Sequence, residues 1–372
     1  MPSFVRPQRE HCTGCGACVT ACSVGAISMV PDEEGFAMPK VSAERCTGCK
    51  ACRAVCPMSR KGFLKNANAP HFYAAQNRNT EVLSASTSGG AFTALTDEIL
   101  YRGGVVYGVI FDDALKVRHC RAEDFSARDR MRFSKYVQSD MTGIYESVRD
   151  DLKNGRTVLF TGTPCQCAGV RAVFGEPEGL YLCDLICHGV PSPLLWEKYQ
   201  ETLAGERGGK AVTWASFRTK AKGWYRGQYQ VYYKVDGGAE QFEDTRFFEL
   251  YLRGRYVLRP SCYACPFTDT RRVSDFTIAD YWGIEKYSKE WDGRRGVSLI
   301  LTGTQKGEAF LHATNGLRYE RRAPIEAMNE QKRLSEPVSA PADRARFWEA
   351  FRKRGFSAAA KDICRLHPEL RA

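Results

Sequence analysis

From residue 71 onward the apolar residues recur in short blocks separated by glycine-rich turns. "HFYAAQN", 71–77, reads as a strand, and "SGGAFTALTDEILYRGG", 88–104, as a helix with glycines at both ends. "VVYGVIF", 105–111, is a strand rich in β-branched and aromatic residues. "DMTGIYESVRDDLKNG", 140–155, has the period of an amphipathic helix ended by Gly155. "RTVLFTGTP", 156–164, and "GLYLCDLICHGVPSP", 179–193, read as strands running into turns. This alternation predicts an α/β core with some parallel pairing. After about residue 210 the texture shifts. "TWASFRTK", "YQVYYKV" and "EQFEDTR" read as antiparallel strands around the "DGG" turn. "RFFELYLRGRYVL", 246–258, reads as a short amphipathic helix, and "DFTIADYWGI" and "GVSLILTGT" as strands. The tail, 341–364, reads as a basic amphipathic helix around "DRARFWEAFRKRG".

The first 66 residues follow none of these periods, and cysteine is what distinguishes them. The chain has sixteen cysteines, and half of them fall before residue 57. Two copies of C-x2-C-x2-C-x3-C appear: Cys12, Cys15, Cys18, Cys22, and Cys46, Cys49, Cys52, Cys56. This is the bacterial two-cluster ferredoxin spacing, in which three close thiolates hold three iron corners of a cubane and the fourth cysteine serves the other cluster. The expected ligand sets are therefore Cys12, Cys15, Cys18 with Cys56, and Cys46, Cys49, Cys52 with Cys22. Zinc rarely uses this doubled spacing. Gly14, Gly16 and Gly48 let the backbone wrap closely around the sulfurs. The chemistry is one-electron transfer. The predicted fold class is α+β: a small ferredoxin-like 2[4Fe-4S] domain, 1–66, a larger mixed α/β domain, 67–330, and a helical tail, 331–372, with "RKGFLKNANAP", 60–70, as the linker.

Length and charge narrow the class further. The 372 residues suffice for two or three domains. No run of eighteen apolar residues exists and "MPSFVRPQRE" lacks a signal-peptide core, so a cytoplasmic protein with no membrane span is expected. In a reducing compartment the cysteines are ligands or reactive thiols rather than disulfides. The formal charge is +11, yet no basic block of five and no nucleic-acid-binding pattern appears, so nucleic acid is not an expected partner. A solvated basic surface is the plain reading. An acidic protein partner or a phosphate-bearing cofactor is the functional one.

Three stretches of the large domain concentrate cysteine, glycine and proline: "VLFTGTPCQCAGV", "YLCDLICHGVPSP" and "RPSCYACPFTDTRRVSDFTIADYWG". Together they resemble the coenzyme F420 hydrogenase/dehydrogenase beta subunit family, over roughly residues 70–320. The resemblance implies FAD, iron–sulfur clusters and transfer of electrons to a final acceptor, which in archaeal members is coenzyme F420. A third cubane needs four thiolates, and six are available. As a strand, "YLCDLIC" separates Cys183 from Cys187 by about 13 Å at ~3.3 Å per residue. Only one of them can then ligate, and Cys187, beside a turn, is the open one. Cys165 follows Pro164 at a strand-to-helix turn, and Cys167 would point away from it. The coherent set is Cys165, Cys187, Cys262 and Cys265. A zinc site on the same ligands and a reactive Cys262–Cys265 dithiol are the alternatives.

"STSGGAF" precedes a helix, where Ser86, Ser88, Gly89 and Gly90 suit a phosphate as well as an ordinary cap. The resemblance assigns this stretch to the FAD pyrophosphate or ribose. No G-x-G-x-x-G follows a strand, so a Rossmann NAD site is not supported. "FSKYVQSD" resembles a family stretch near the flavin, which makes Lys135, Tyr136, Gln138 and Ser139 candidates. His188 is the candidate proton or hydrogen-bond donor, with a structural turn histidine as the alternative. Arg271 and Arg272 are read either as an acidic-ligand site or as a solvated pair. Two functions are expected to compete. One is an iron–sulfur flavoenzyme acting on a small-molecule acceptor, supplied by an acidic carrier such as ferredoxin or flavodoxin. The other is a non-catalytic electron-transfer subunit of a larger redox enzyme. A redox sensor built on Cys262 and Cys265 is the third.

Overall fold

A computed structural model describes residues 8–59, 65–220, 223–224, 230–291 and 293–370. The start of the expected linker, residues 60–64, and Tyr229 at the head of one expected strand lie outside the described residues.

The front module has one hairpin, β1 (Ile27–Pro31) with β2 (Ala37–Val41), and two single-turn helices, Ala17–Thr20 and Ala51–Ala54. Each helix follows a residue with positive φ, Gly16 or Lys50, so each cysteine run curls within one turn. The large domain has strands β3 (His71–Asn77), β4 (Val105–Phe111), β5 (Val117–Ala122), β6 (Val158–Gly162) and β7 (Leu180–Leu185). A small antiparallel sheet follows, of β8 (Val212–Ser216), β9 (Val231–Val235) and β10 (Phe242–Asp244). Then come β11 (Phe276–Asp280), β12 (Ser298–Thr302) and β13 (Leu317–Arg322).

Eight strands form one mixed sheet in the order β13-β3-β12-β11-β7-β6-β4-β5. Its centre, β11-β7-β6-β4, is parallel, and its flanks are antiparallel. The α+β expectation and the parallel core both agree with this topology. The parallel strands read as near-continuous apolar runs because helices cover them; all five residues of β6 are buried. The helices Ala91–Tyr101, Ile144–Lys153 and Pro164–Phe174 provide this cover.

Two elements differ from the sequence reading. "RFFELYLRGRYVL" is helical only at Arg246–Phe248, widens into a π-turn over Glu249–Arg253 and stops at Gly254, before Arg255 at φ +61°. The proline-flanked end of "CHGVPSP" reads only as a turn, yet it starts the helix Pro193–Gly205, capped by Ser192, whose hydroxyl accepts from Leu195 N at 3.2 Å. The C-terminal helix, Arg344–Leu366, kinks at Gly355 and packs Phe347, Trp348, Phe351 and Phe356 into one core with the Pro193 helix and the small sheet.

The front module is fastened to the large domain by polar contacts. Tyr145 donates to Cys15 O at 2.8 Å, and Arg344 donates to Glu34 Oε1 at 2.8 Å. Gly35, at φ +83°, passes so close to the Pro193 helix that a Cβ there would lie 2.2 Å from Leu194 Cβ and 2.9 Å from its N. Gly35→Ala should therefore cost roughly 1–3 kcal/mol through overpacking and left-handed strain. A lowered thermal midpoint, with easier proteolytic release of the front module, is the expected measurement.

Candidate functional site

In the front module the fourth cysteine of each run crosses to the other. Cys18 has Cys15, Cys12 and Cys56 as charged neighbours, whereas Cys52 has Cys49, Cys22 and Cys46. Burial pushes the Cys15 thiol up to about 12, and Cys165, Cys12 and Cys56 add to the rise. Cys49 is different: it is exposed, and donors from Ala51 N and Thr47 hold its pKa below the ordinary value. The second set thus reaches the surface, beside exposed Lys50 and Arg53, and the first faces inward.

The large domain brings its four predicted thiols together. Cys165 opens the helix after β6, and Cys187 lies just past the end of β7. Cys262 and Cys265 come from the turn Pro260–Ala264 and its cap. All four line one small cavity of about 30 Å³, with Thr13 of the front module beside them. Desolvation raises each of them, with Cys262 at about 12 and Cys265 at about 11, and their mutual repulsion adds to it. Gly189 N donates to Cys187 Sγ at 3.3 Å, and Thr163 Oγ1 lies 3.2 Å from Cys165 Sγ. Among the described residues no three His, Cys, Asp or Glu side chains converge closely enough to hold a single metal ion. Four thiols on one zinc would so converge, with bonds of about 2.3 Å, whereas thiols on a cubane stand apart on separate irons. Cys167 and Cys183 form a separate buried pair, Cys167 Sγ donating to Cys183 O at 3.7 Å.

Cys187 and His188 also line a larger cavity, of about 400 Å³, at the carboxyl ends of the parallel strands. Val109, Thr161, Asp184 and Ile278 of β4, β6, β7 and β11 contribute to its wall. This is where open parallel sheets place ligands. A neighbouring cavity of about 1040 Å³ shares Ser86, Arg132, Lys135 and Arg218 with it. Ala91, Phe92 and Thr93 also line the first cavity, so the amino end of the helix Ala91–Tyr101 opens into it. The first-turn N–H groups there have no partner within the helix and suit a phosphate.

Of the predicted cofactor residues, Ser86, Ser88, Gly90, Lys135, Tyr136 and Ser139 line this cavity. Gly89 does not. It packs against the sheet, where a Cβ would lie 2.3 Å from Ala75 O and 2.4 Å from Ser298 N. Gln138 does not either. It turns toward the front module, donating to Thr13 O and accepting from Arg259 Nη1, both at 2.9 Å. Burial pulls Lys135 down to about 7, while its Nζ donates to Arg130 O and Arg132 O. His188 is held at about 4 by burial, with Arg333 and Arg255 adding to this, so it is neutral near pH 7. Its ring stands edge-on to Tyr251, and its Nε2 is buried with no hydrogen-bond partner.

Residues 155–326 match the C terminus of the beta subunit of coenzyme F420 hydrogenase/dehydrogenase, and residues 11–59 match the 4Fe-4S dicluster domain. The chain is a beta-subunit domain of that family behind a 4Fe-4S dicluster domain. No curated protein matches it. Among solved structures it is similar to a chain in a xenon-derivatised F420-reducing [NiFe] hydrogenase complex from Methanosarcina barkeri, at 15% identity and a TM-score of 0.49, covering 78% of this chain and 94% of that one.

Several residues of this beta-subunit domain escape the sequence reading. His119 stacks on Phe160, and burial lowers it to about 4. Its Nε2 faces Thr161 O at 3.0 Å, so it carries the proton there, and Nδ1 accepts from Ser139 Oγ at 3.0 Å. Ser139 in turn accepts from Gln166 Nε2 at 2.9 Å. Gln166 closes a capping box with Thr163. The T-x-x-Q spacing in "GTPCQ" is the available signal.

Arg272, expected to face a ligand or solvent, is instead buried. It donates to Asp184 Oδ1 at 2.9 Å, Phe267 O at 2.7 Å and Leu185 O at 3.0 Å. It thereby pins the Cys262–Cys265 loop to the end of β7. Arg271 is the exposed member of the pair. Arg272→Met should strand the Asp184 charge and lower stability by about 3–5 kcal/mol. Urea unfolding should show the lower midpoint.

Proposed function

We propose that this chain is an iron–sulfur flavoenzyme that passes electrons from its front clusters, through a third cubane, to FAD in the large cavity. The observation that carries the reading is the continuity of the sites. The exposed Cys46 set adjoins the Cys12 set through Cys52 and Cys18. Cys15 neighbours Cys165, and Cys187 lies in the walls of both the third thiol site and the large cavity. The buried thiols fit a cluster because they cannot ionise in a dry space without a multinuclear cation among them. In the front module, Cys12, Cys15, Cys18 and Cys56 would hold one cubane, and Cys46, Cys49, Cys52 and Cys22 the other. Cys165, Cys187, Cys262 and Cys265 would hold the third.

The large cavity fits a dinucleotide flavin by its size and by the helix terminus in its wall. FAD, when bound, supplies the exchange between one-electron and two-electron chemistry. The residues around it do simpler things. The amino end of the Ala91 helix, with Lys135 and Arg132 nearby, receives phosphate charge. Tyr136, Phe248 and Tyr251 form the apolar wall. His188, neutral and with a free Nε2, offers one hydrogen bond inside the cavity. An acidic carrier suits the basic rim of the exposed front site, and the final acceptor is a small molecule of the class that coenzyme F420 represents.

The family description as a beta subunit favours a second reading, an electron-transfer subunit of a larger redox enzyme. Anaerobic purification with iron, sulfide and flavin counts tests the first. The expected result is about twelve iron per chain, three cubanes, and one FAD, with turnover of an acceptor driven by reduced ferredoxin. Cys262→Ala should leave about eight iron and both front clusters. A flavin-free preparation contradicts the flavoenzyme reading. Co-purification with a larger catalytic protein, without acceptor turnover alone, favours the second.

A further inference from the structure

Arg259 is 1% exposed and lies at the seam between the front module and the third thiol site. Its Nε donates to Cys12 O at 2.6 Å, Nη1 to Gln138 Oε1 at 2.9 Å and Nη2 to Ala37 O at 3.0 Å. Met38 Sδ lies 3.0 Å from Nη2, and the guanidinium sits 5.4 Å over the Phe36 ring. Every one of these partners is neutral. Among the described residues no carboxylate comes within ion-pair distance of Arg259, although it is among the most deeply buried side chains. A buried cation without a counter-charge is strongly disfavoured, and such groups are found paired or beside a metal site.

The compensating charge is found in the thiols. Arg259 lines the cavity of the third site, and its charge favours the ionised forms of Cys165 and Cys262. On its other side it holds the carbonyl of Cys12, in the run that also carries Cys15 and Cys18. Gly14 is small for this reason: a Cβ there would lie 2.7 Å from Arg259 Nη1. A cubane with four thiolates is a net anion, and it gains one more negative charge on reduction. A fixed cation stabilises the reduced form more than the oxidised one, and so raises the reduction potential.

We infer that Arg259 is the shared counter-charge of the Cys12 cluster and the Cys165 cluster, holding both at higher potential and so setting the downhill step from the front module into the large domain. It is a positioning and tuning residue and touches no substrate. The inference rests on the cluster assignments proposed above. The remaining cluster, whose Cys46 and Cys49 ligands lie near the surface, makes no contact with Arg259 and is outside its influence.

The test is an EPR-monitored redox titration of the anaerobically purified full chain as wild type, Arg259→Met and Arg259→Lys. Iron is counted first. A wild-type count well short of about twelve per chain defeats the cluster reading itself, independently of this residue. In fully loaded Arg259→Met, two of three midpoints should move to more negative potential and the remaining one should stay. Arg259→Lys, which keeps the charge, should titrate close to wild type. Three unshifted midpoints in loaded Arg259→Met overturn the inference. If Arg259→Met does not load, Arg259→Lys decides: loading with near wild-type midpoints supports the counter-charge role, and failure to load shows that shape rather than charge is needed and overturns it.

Discussion

Four thiols in a space that excludes water cannot ionise together unless positive charge sits among them. The thiols at Cys165, Cys187, Cys262 and Cys265 are in that position, and desolvation holds every one of them above its ordinary pKa. The surrounding architecture serves to keep them together and dry. β6 and β7 are parallel neighbours, so their carboxyl ends deliver Cys165 and Cys187 to the same edge of the sheet. The loop carrying Cys262 and Cys265 is far away in sequence. The Arg272–Asp184 contact and the Arg272 bonds to Phe267 O and Leu185 O fold it back onto that edge. Front-module residues then close the remaining side, with Thr13 in the cavity wall and Cys15 packed against Gly169.

The same edge of the sheet faces the large cavity, and this follows from topology. At the centre of an open parallel sheet the strand ends diverge, and the crevice beyond them is the natural ligand site. Cys187 and His188 occupy the short link between the end of β7 and the turn that follows, so a single segment borders both spaces. Electron transfer needs nearness rather than contact, and two cavities sharing one wall provide it. His119, Ser139, Gln166 and Thr163 form a hydrogen-bonded chain along that wall, with its polarity fixed by the Nε2–H tautomer of His119.

Much of this is legible in the sequence, and the parts that are not share a cause. The doubled cysteine spacing is local, so the front module can be read directly. Cys183 and Cys187 can be separated because a strand fixes the direction and reach of its side chains; Cys183 lies inside β7 and Cys187 beyond it. The Ser86–Gly90 turn is recognisable from its residues, but Gly89 is small because two strands crowd it, which the turn itself does not reveal. Gln138 sits among residues that do line the cavity, yet it turns toward Thr13 because the front module docks there. Arg272 and Arg259 look like surface cations in the sequence, and their burial depends on partners such as Asp184 and Cys12 that no local pattern announces. The Pro193 helix has an ordinary Ser-Pro start that the neighbouring turn residues obscure.

Charge compensation therefore links the three thiol sites and the cavity into one line through the molecule. No described helix is long and apolar enough to cross a membrane, so that line begins and ends at protein surfaces outside any such span. The most direct measurement is anomalous diffraction at the iron edge from crystals of the anaerobically prepared protein. The account predicts three iron peaks in sequence, the innermost enclosed by Cys165, Cys187, Cys262 and Cys265 and bordering the large cavity. Iron confined to the front module, with zinc or a disulfide at those four cysteines, would contradict it.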